Sequence, residues 1–362
     1  MKSRIIALVT IAGMMLLGFF ANGAPVQAII APGTNGKIAF NRDFGDGFTI
    51  NPDGSQEHQI GPGARCTTWS PNGSKILCDV FGDNGPQPAT ANPDGSDFTL
   101  LNPNLPLDLF CFFWSPDGDR LLCHSEGILN PADAGLYTVR SSDAGDLVRL
   151  TATPLDGSFE IGYGYSLDGS HILFARFNPD GSGTLFLVKP DGNGKRQLSP
   201  PNLSVIDLSF FDQVGADWSP SGSRVTFAAR IVSKGREFST ALFVVNSDGT
   251  KLRQITPSFP GALSAQWAPN GRLIAFTSSR GIPEVWVVHP DGTGLRSVTS
   301  PLGGNISLAP AWSPDSTKLI FNVRNNIGQT SVWTANVNGS GLSKLTDTAG
   351  LTAYSWGTAP ID

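Results

Sequence analysis

WSPDGDRLLC (Trp114–Cys123) is one copy of a phrase that recurs along the chain. It returns as WSPNGSKILC from Trp69, YSLDGSHILF from Tyr165, WSPSGSRVTF from Trp218, WAPNGRLIAF from Trp267 and WSPDSTKLIF from Trp312. Each copy reads as a strand ending at an aromatic residue, a tight turn, and a second apolar strand. Ser opens the turn, Pro presets φ, and Gly takes a backbone conformation that a β-carbon disfavours. A seventh second strand, KIAF (Lys37–Phe40), has no such turn before it.

A second phrase closes another strand in each unit: NPDG at Asp53 and Asp94, SDAG at Asp143, KPDG at Asp191, NSDG at Asp248, HPDG at Asp291 and NVNG at Asn338. Runs such as LFLV (Leu185–Val188), LFVV (Leu242–Val245) and VWVV (Val285–Val288) precede it, and short segments such as RQLS, RQIT and SKLT follow. The β-branched and aromatic content marks these as strands. Four antiparallel strands in tandem repeat predict an all-β propeller. The ends set the number of blades. The first unit lacks its first strand, while LTAYSWG (Leu351–Gly357) is a first strand with nothing after it. Pairing the two closes the ring, removes exposed edges and predicts seven four-stranded blades; a six-bladed reading must discard one KIAF-like copy.

Composition agrees. The 362 residues include 42 Gly and 27 Pro, with 15% charged, favouring short strands and turns over helical bundles. A formal charge of −5 offers no basic surface for counterion release, so no nucleic-acid partner is expected. Residues 1–28 read as a signal peptide: Lys2 and Arg4, an apolar run from Ile5 to Phe20, then small residues to a cleavage site after Ala28. The run is short for a spanning helix, so no membrane span is expected after cleavage. Residues 29–35 are a short leading segment, 36–357 the propeller and 358–362 a tail. A periplasmic or extracellular monomer is expected.

The WSPDG-(K/R)-(I/L)-x-F and (N/H/K)PDG pattern resembles the repeats of TolB-type, WD-like propellers over roughly residues 36–357. TolB itself carries an additional α/β domain ahead of a six-bladed propeller. This sequence has only a short stretch between its cleavage site and first strand, which speaks against a Tol-system role. Leu167 for Pro, Ser221 and Asn72 for Asp, Ala268 for Ser and Ser316 for Gly read as turn variants.

Cys66 and Cys111 each stand three residues before a repeat Trp, and Cys78 and Cys123 end the following strands. A hairpin folding about Asn72 sets Cys66 opposite Cys78, and one about Asp117 sets Cys111 opposite Cys123. Directly opposed residues are close enough to bridge, so Cys66–Cys78 and Cys111–Cys123 disulfides are predicted; free buried pairs and bridges between blades are the alternatives. No C-x-x-C spacing points to zinc. Phe44–Phe48 has no complete calcium loop, and His58, His124, His171 and His289 occupy inequivalent repeat positions. No metal or other cofactor is expected.

Strand parity places the Trp-Ser-Pro and Asp-Gly turns on one face, and the longer second-to-third-strand loops and inter-blade links on the other. Binding residues favour variable loops on a rigid scaffold. The candidate patch is Phe210, Phe211 and Asp212 with Arg230, Lys234, Arg236 and Glu237. Asp217 and Gln266, each just before a repeat Trp, line the channel or bond to neighbouring backbone. Gly164-Tyr165-Ser166-Leu167-Asp168 lacks the last Gly of a nucleophile elbow, and no catalytic set stands out. The expected function is non-catalytic binding or scaffolding of a protein or glycan through the long-loop face; the alternative is a lyase or hydrolase with its site at the channel mouth.

Overall fold

The last strand, Leu351–Thr358, pairs antiparallel with the first, Asn35–Arg42, setting Trp356 opposite Ile38 and Ser355 opposite Ala39. This is a computed structural model, and it describes residues 32–358 apart from 43–44, 62, 83–84, 103–107, 207–214, 232–238, 259–260, 279–280, 303–304 and 347–350. The closing strand completes blade 1 with Asp46–Ile50 and His58–Gly61. Blades 2 to 7 follow in chain order, each a separate antiparallel sheet. Their first strands are Ala64–Trp69, Phe110–Trp114, Phe159–Tyr165, Ala216–Trp218, Gln266–Trp267 and Ile306–Trp312. Each first strand contacts the first strands of both neighbouring blades, in an unbroken cycle of seven. The first strands therefore form the inner wall and the short fourth strands the rim.

Side-chain bonds join this wall from blade to blade. The indole N–H groups of Trp114, Trp218 and Trp312 donate to the carbonyls of Thr68, Gly164 and Gln266, each in a neighbouring blade and one residue before its repeat aromatic. In the other direction, Ser355 Oγ donates to Thr67 O at 2.6 Å and Thr68 Oγ1 to Phe112 O at 2.7 Å. One position further out, Asn41 bonds both the N–H and the C=O of Cys66 in the next blade. At the rim, Arg196, Arg253 and Arg296 donate to Ser247, Pro290 and Val337, the second residues of the next blades' Asp-Gly turns. A buried wall of unpaired polar groups would be costly, and these bonds satisfy it while holding adjacent sheets in register.

Both predicted disulfides are present, Cys66–Cys78 and Cys111–Cys123. Their geometry differs from simple opposition about Asn72 and Asp117. Near the turn the pairing is Trp69 with Ile76 and Thr68 with Leu77, which folds the hairpin between Asn72 and Gly73. A bulge between Cys66 and Thr68 then shifts the register and brings Cys66 opposite Cys78; blade 3 repeats this between Cys111 and Phe113. In each bridge the second-strand half-cystine stands where blades 1, 4, 5 and 6 carry an aromatic that stacks on the third strand. Phe40 stacks on Phe48, Phe174 on Phe186, Phe227 on Phe243 and Phe276 on Trp286, with centroids 5.3 to 6.5 Å apart. In blades 4 and 5 the second-strand Phe faces a small residue, Gly162 or Ala216. Two half-cystines thus fill the space of a Phe and a glycine or alanine. A Cys66→Ala, Cys78→Ala double variant is expected to lose about 3 kcal/mol by the loop-entropy relation, seen as a lower urea midpoint that no longer responds to reductant at that bridge.

Ser316 stands at φ 63° where the other Trp-type turns carry glycine, such as Gly73 at φ 71°. Its Oγ accepts the N–H of Asn270 in the preceding blade at 3.0 Å, giving this left-handed serine an inter-blade bond that glycine lacks.

Candidate functional site

Among the described residues, the long-loop face can be followed on blades 2 to 4. Asp108 is completely buried just before the first strand of blade 3. Its carboxylate accepts Ser125 Oγ–H at 2.7 Å and the N–H groups of Glu126 and Ile128 at 3.2 Å. Asn130 then caps the short 3-10 turn Pro131–Asp133, and Tyr137 O–H donates to Asp133 O at 2.7 Å. This loop is therefore fixed at both ends. Between its anchors it presents Ile128 at 60% and Leu129 at 49% exposure.

Phe81, 50% exposed near the end of the strand Ile76–Gly82 of blade 2, meets Phe110 edge-on at 6.2 Å. Phe110 and Phe112 flank His124 with ring centroids at 5.1 and 5.3 Å. Burial holds the His124 imidazole neutral, down to about 4, against the opposing pull of Asp108. His124 thus serves as a packed ring within an aromatic stack. The same face continues onto the entry to blade 4, where Leu155 and Phe159 are exposed and Phe159 stacks on Phe177 at 5.1 Å. Three consecutive blades thus each expose apolar side chains on this face, Phe81 of blade 2 and Phe159 of blade 4 packed on the buried Phe110 and Phe177.

Of the patch expected from the sequence, Arg230 is exposed at the end of Arg224–Ile231, opposite Thr240 and Ser204. Phe210, Phe211, Asp212, Lys234, Arg236 and Glu237 lie outside the described residues. The stretch 199–215 is not simply an inter-blade link: Leu203–Val205 pairs with Arg224–Ile231 along the same edge as Ala216–Trp218. Ile206 and Gly215 both bond to Ala228, Ile206 N–H donating to its carbonyl and Gly215 O accepting its N–H.

Asp217 is satisfied by the neighbouring backbone, its Oδ2 accepting the Trp267 N–H at 2.7 Å. Burial raises its carboxyl to about 7 despite that bond. Asp79, opposite the buried Arg65, is likewise raised to about 7 by burial, with Arg65 pulling it down. Among the described residues no three His, Cys, Asp or Glu side chains gather to hold a metal ion.

On the opposite face, a depression at the channel mouth is walled by Trp356, Trp69, Trp114 and Tyr165, with Leu167 at its lip. Leu167, which read as a turn variant in the sequence, and Tyr165, which stands in place of the repeat Trp, make this wall differ from the other blades. The exposed residues Phe81, Ile128 and Leu129 were missed for a related reason. Their signal is departure from the repeat, and exposure is not written in any single repeat copy.

Residues 209–356 match the model described as the TolB beta propeller domain. The chain resembles the TolB propeller over that stretch. Similar solved structures include TolB from Acinetobacter baumannii, at 13% identity and TM-score 0.53, covering 90% of this chain and 67% of that one. The β-propeller domain of the Trilobed protease from Pyrococcus furiosus is 12% identical at TM-score 0.61, covering 83% and 87%. Puromycin hydrolase is 16% identical at TM-score 0.62, covering 94% of this chain but 55% of its own. The likeness is one of fold. Whereas the Pyrococcus propeller has an open velcro topology, this TolB-like propeller joins Leu351–Thr358 to Asn35–Arg42 within one sheet.

Proposed function

We propose that this TolB-like propeller is an exported, non-catalytic binding module that engages a protein or glycan partner through its long-loop face. The observation that carries this reading is the pinned loop of blade 3, where Ile128 and Leu129 stand exposed on a backbone held by fully buried Asp108. Holding apolar side chains in water on a rigid loop lowers the ordering cost of association, and a contiguous exposed apolar patch is a mark of partner surfaces. The neighbouring Phe81, Leu155 and Phe159 extend the surface across blades 2 to 4. Export is supported by the leader-like residues 1–28 and by two disulfides, which persist in oxidising compartments.

The test compares the wild type with Phe81→Ser, Ile128→Ser, Leu129→Ser as immobilised baits in envelope extract. The triple variant is expected to keep the wild-type thermal midpoint, because these side chains are already solvated, and to lose specific capture. Capture of the same partner by both baits sinks the proposal.

A further inference from the structure

The rim between blades 5 and 6, on the short-turn face, carries a groove lined by Arg224, Arg253, His289, Pro290, Asp291 and Thr293. Comparison of repeat positions shows what is unusual there. Every KIAF-like strand is led by a basic residue or histidine: Lys37, Lys75, Arg120, His171, Arg224, Arg272 and Lys318. In blades 2 and 3 this residue is neutralised within its own blade, by Lys75–Asp97 and Arg120–Asp146 ion pairs. Both aspartates occupy the left-handed position just after the Asp-Gly turn, at φ 53° and 52°. The equivalent residue is Gln56 in blade 1 and Gly194, Gly294 and Gly341 in blades 4, 6 and 7, but in blade 5 it is Lys251, at φ 54°. Where two blades place the neutralising carboxylate, blade 5 places a second cation.

The two guanidinium groups and the imidazole of the groove are each held by a separate contact. The Arg224 guanidinium lies over the Trp267 ring, Cζ 5.0 Å from its centroid, and has no carboxylate partner among the described residues. Stacking on an aromatic face directs the N–H groups outward in the guanidinium plane. Arg253 is anchored by its bond to Pro290 O at 2.8 Å. His289 Nδ1 lies 3.0 Å from Arg272 O; a carbonyl only accepts, so this bond puts the proton on Nδ1 and leaves Nε2 as the outer nitrogen. The one carboxylate in the lining, Asp291, is occupied by its own turn, with Oδ1 accepting Thr293 N–H at 2.9 Å and Oγ1–H at 2.6 Å.

We propose that this groove binds a tetrahedral oxyanion, a phosphate or sulfate monoester carried by a larger molecule. Arg253 shares the charge of Asp291, whereas the Arg224 guanidinium has no carboxylate partner among the described residues, and charge-assisted bonds to an oxyanion satisfy such a donor directly. The site lies on the face opposite the exposed apolar side chains of blades 2 to 4 and does not depend on them.

The experiment titrates the full chain with inorganic phosphate and sulfate at physiological ionic strength, alongside Lys251→Asp and Arg224→Gln. Lys251→Asp recreates the ion pair seen in blades 2 and 3, so its thermal midpoint is expected to equal or exceed that of the wild type. Loss of each cation is expected to weaken oxyanion binding about tenfold. Retention on immobilised dextran sulfate or on polyphosphate, abolished by Lys251→Asp, distinguishes the sulfate ester from the phosphate ester. Failure of the wild type to bind either inorganic anion, or equal binding by folded Lys251→Asp, overturns the proposal.

Discussion

Trp356→Ala is expected to release the strand Asn35–Arg42 of the propeller as well as lower its stability. Trp356 is 1% exposed, faces Ile38 across the closing pair, and donates its indole N–H to Gly36 O at 3.1 Å. Truncating a buried aromatic of this size costs about 4 kcal/mol, a large part of the stability of a typical domain. The closing strand differs from every other first strand in being joined to its blade by hydrogen bonds and packing alone, since its covalent connection runs back to blade 7. Weakening it should therefore open the ring locally. Hydrogen exchange reads the difference: amides of Asn35–Arg42 should lose protection in Trp356→Ala. They should keep it in Trp312→Ala, which removes an equally buried indole from a blade whose strands are continuous in sequence. Equal protection of Asn35–Arg42 in both variants would show that closure does not depend on Trp356.

Asp217→Asn should change how stability depends on pH. The native carboxyl is raised to about 7 by burial, while an unfolded aspartate ionises near 3.9. The native state therefore binds this proton more tightly than the unfolded state. Its contribution is fully present below about pH 4 and is lost as pH rises through about 7. For one group the difference between those limits is on the order of 4 kcal/mol. Asparagine keeps an oxygen to accept the Trp267 N–H and has no proton to lose. The variant should match the wild type near pH 4 and melt several degrees higher near pH 8.5. Asp79 titrates in the same window and is common to both proteins, so the difference between the two melting profiles isolates Asp217. Parallel profiles from pH 4 to 8.5 would show that Asp217 is not held in its neutral form.

The architecture was legible because a propeller blade is specified by local chemistry. Trp-Ser-Pro-Asp-Gly states a hairpin by itself: Ser70 Oγ accepts the Lys75 N–H, and Gly73 takes the left-handed conformation. Even closure could be counted, because an orphan first strand and an orphan second strand complete each other. The disulfide partners were legible too, although the bulge at Thr67 was not; bulges arise where an inner strand meets its neighbouring blades, and no residue within the strand announces one. The long segment before Trp218 misled for the same reason. Leu203–Val205 looks like part of a link until its pairing with Arg224–Ile231 is seen.

The binding surfaces belong to the other category. Ile128 and Leu129 look like ordinary apolar loop residues, and their exposure follows from Asp108, twenty residues earlier than Ile128, fixing the loop from below. Lys251 looks like one more surface lysine until Asp97 and Asp146 show what its position holds in blades 2 and 3.

By itself the sequence determined the strand repeat, the number of blades, the closing pair and the cysteine partners, since each is decided by turns and alternations within a few residues. Only the tertiary structure decided which polar groups are satisfied across blades, which apolar side chains stay in water and where positive charge goes unpaired. Those properties belong to residues brought together from different repeats, and their energies depend on burial and separation that no single repeat encodes.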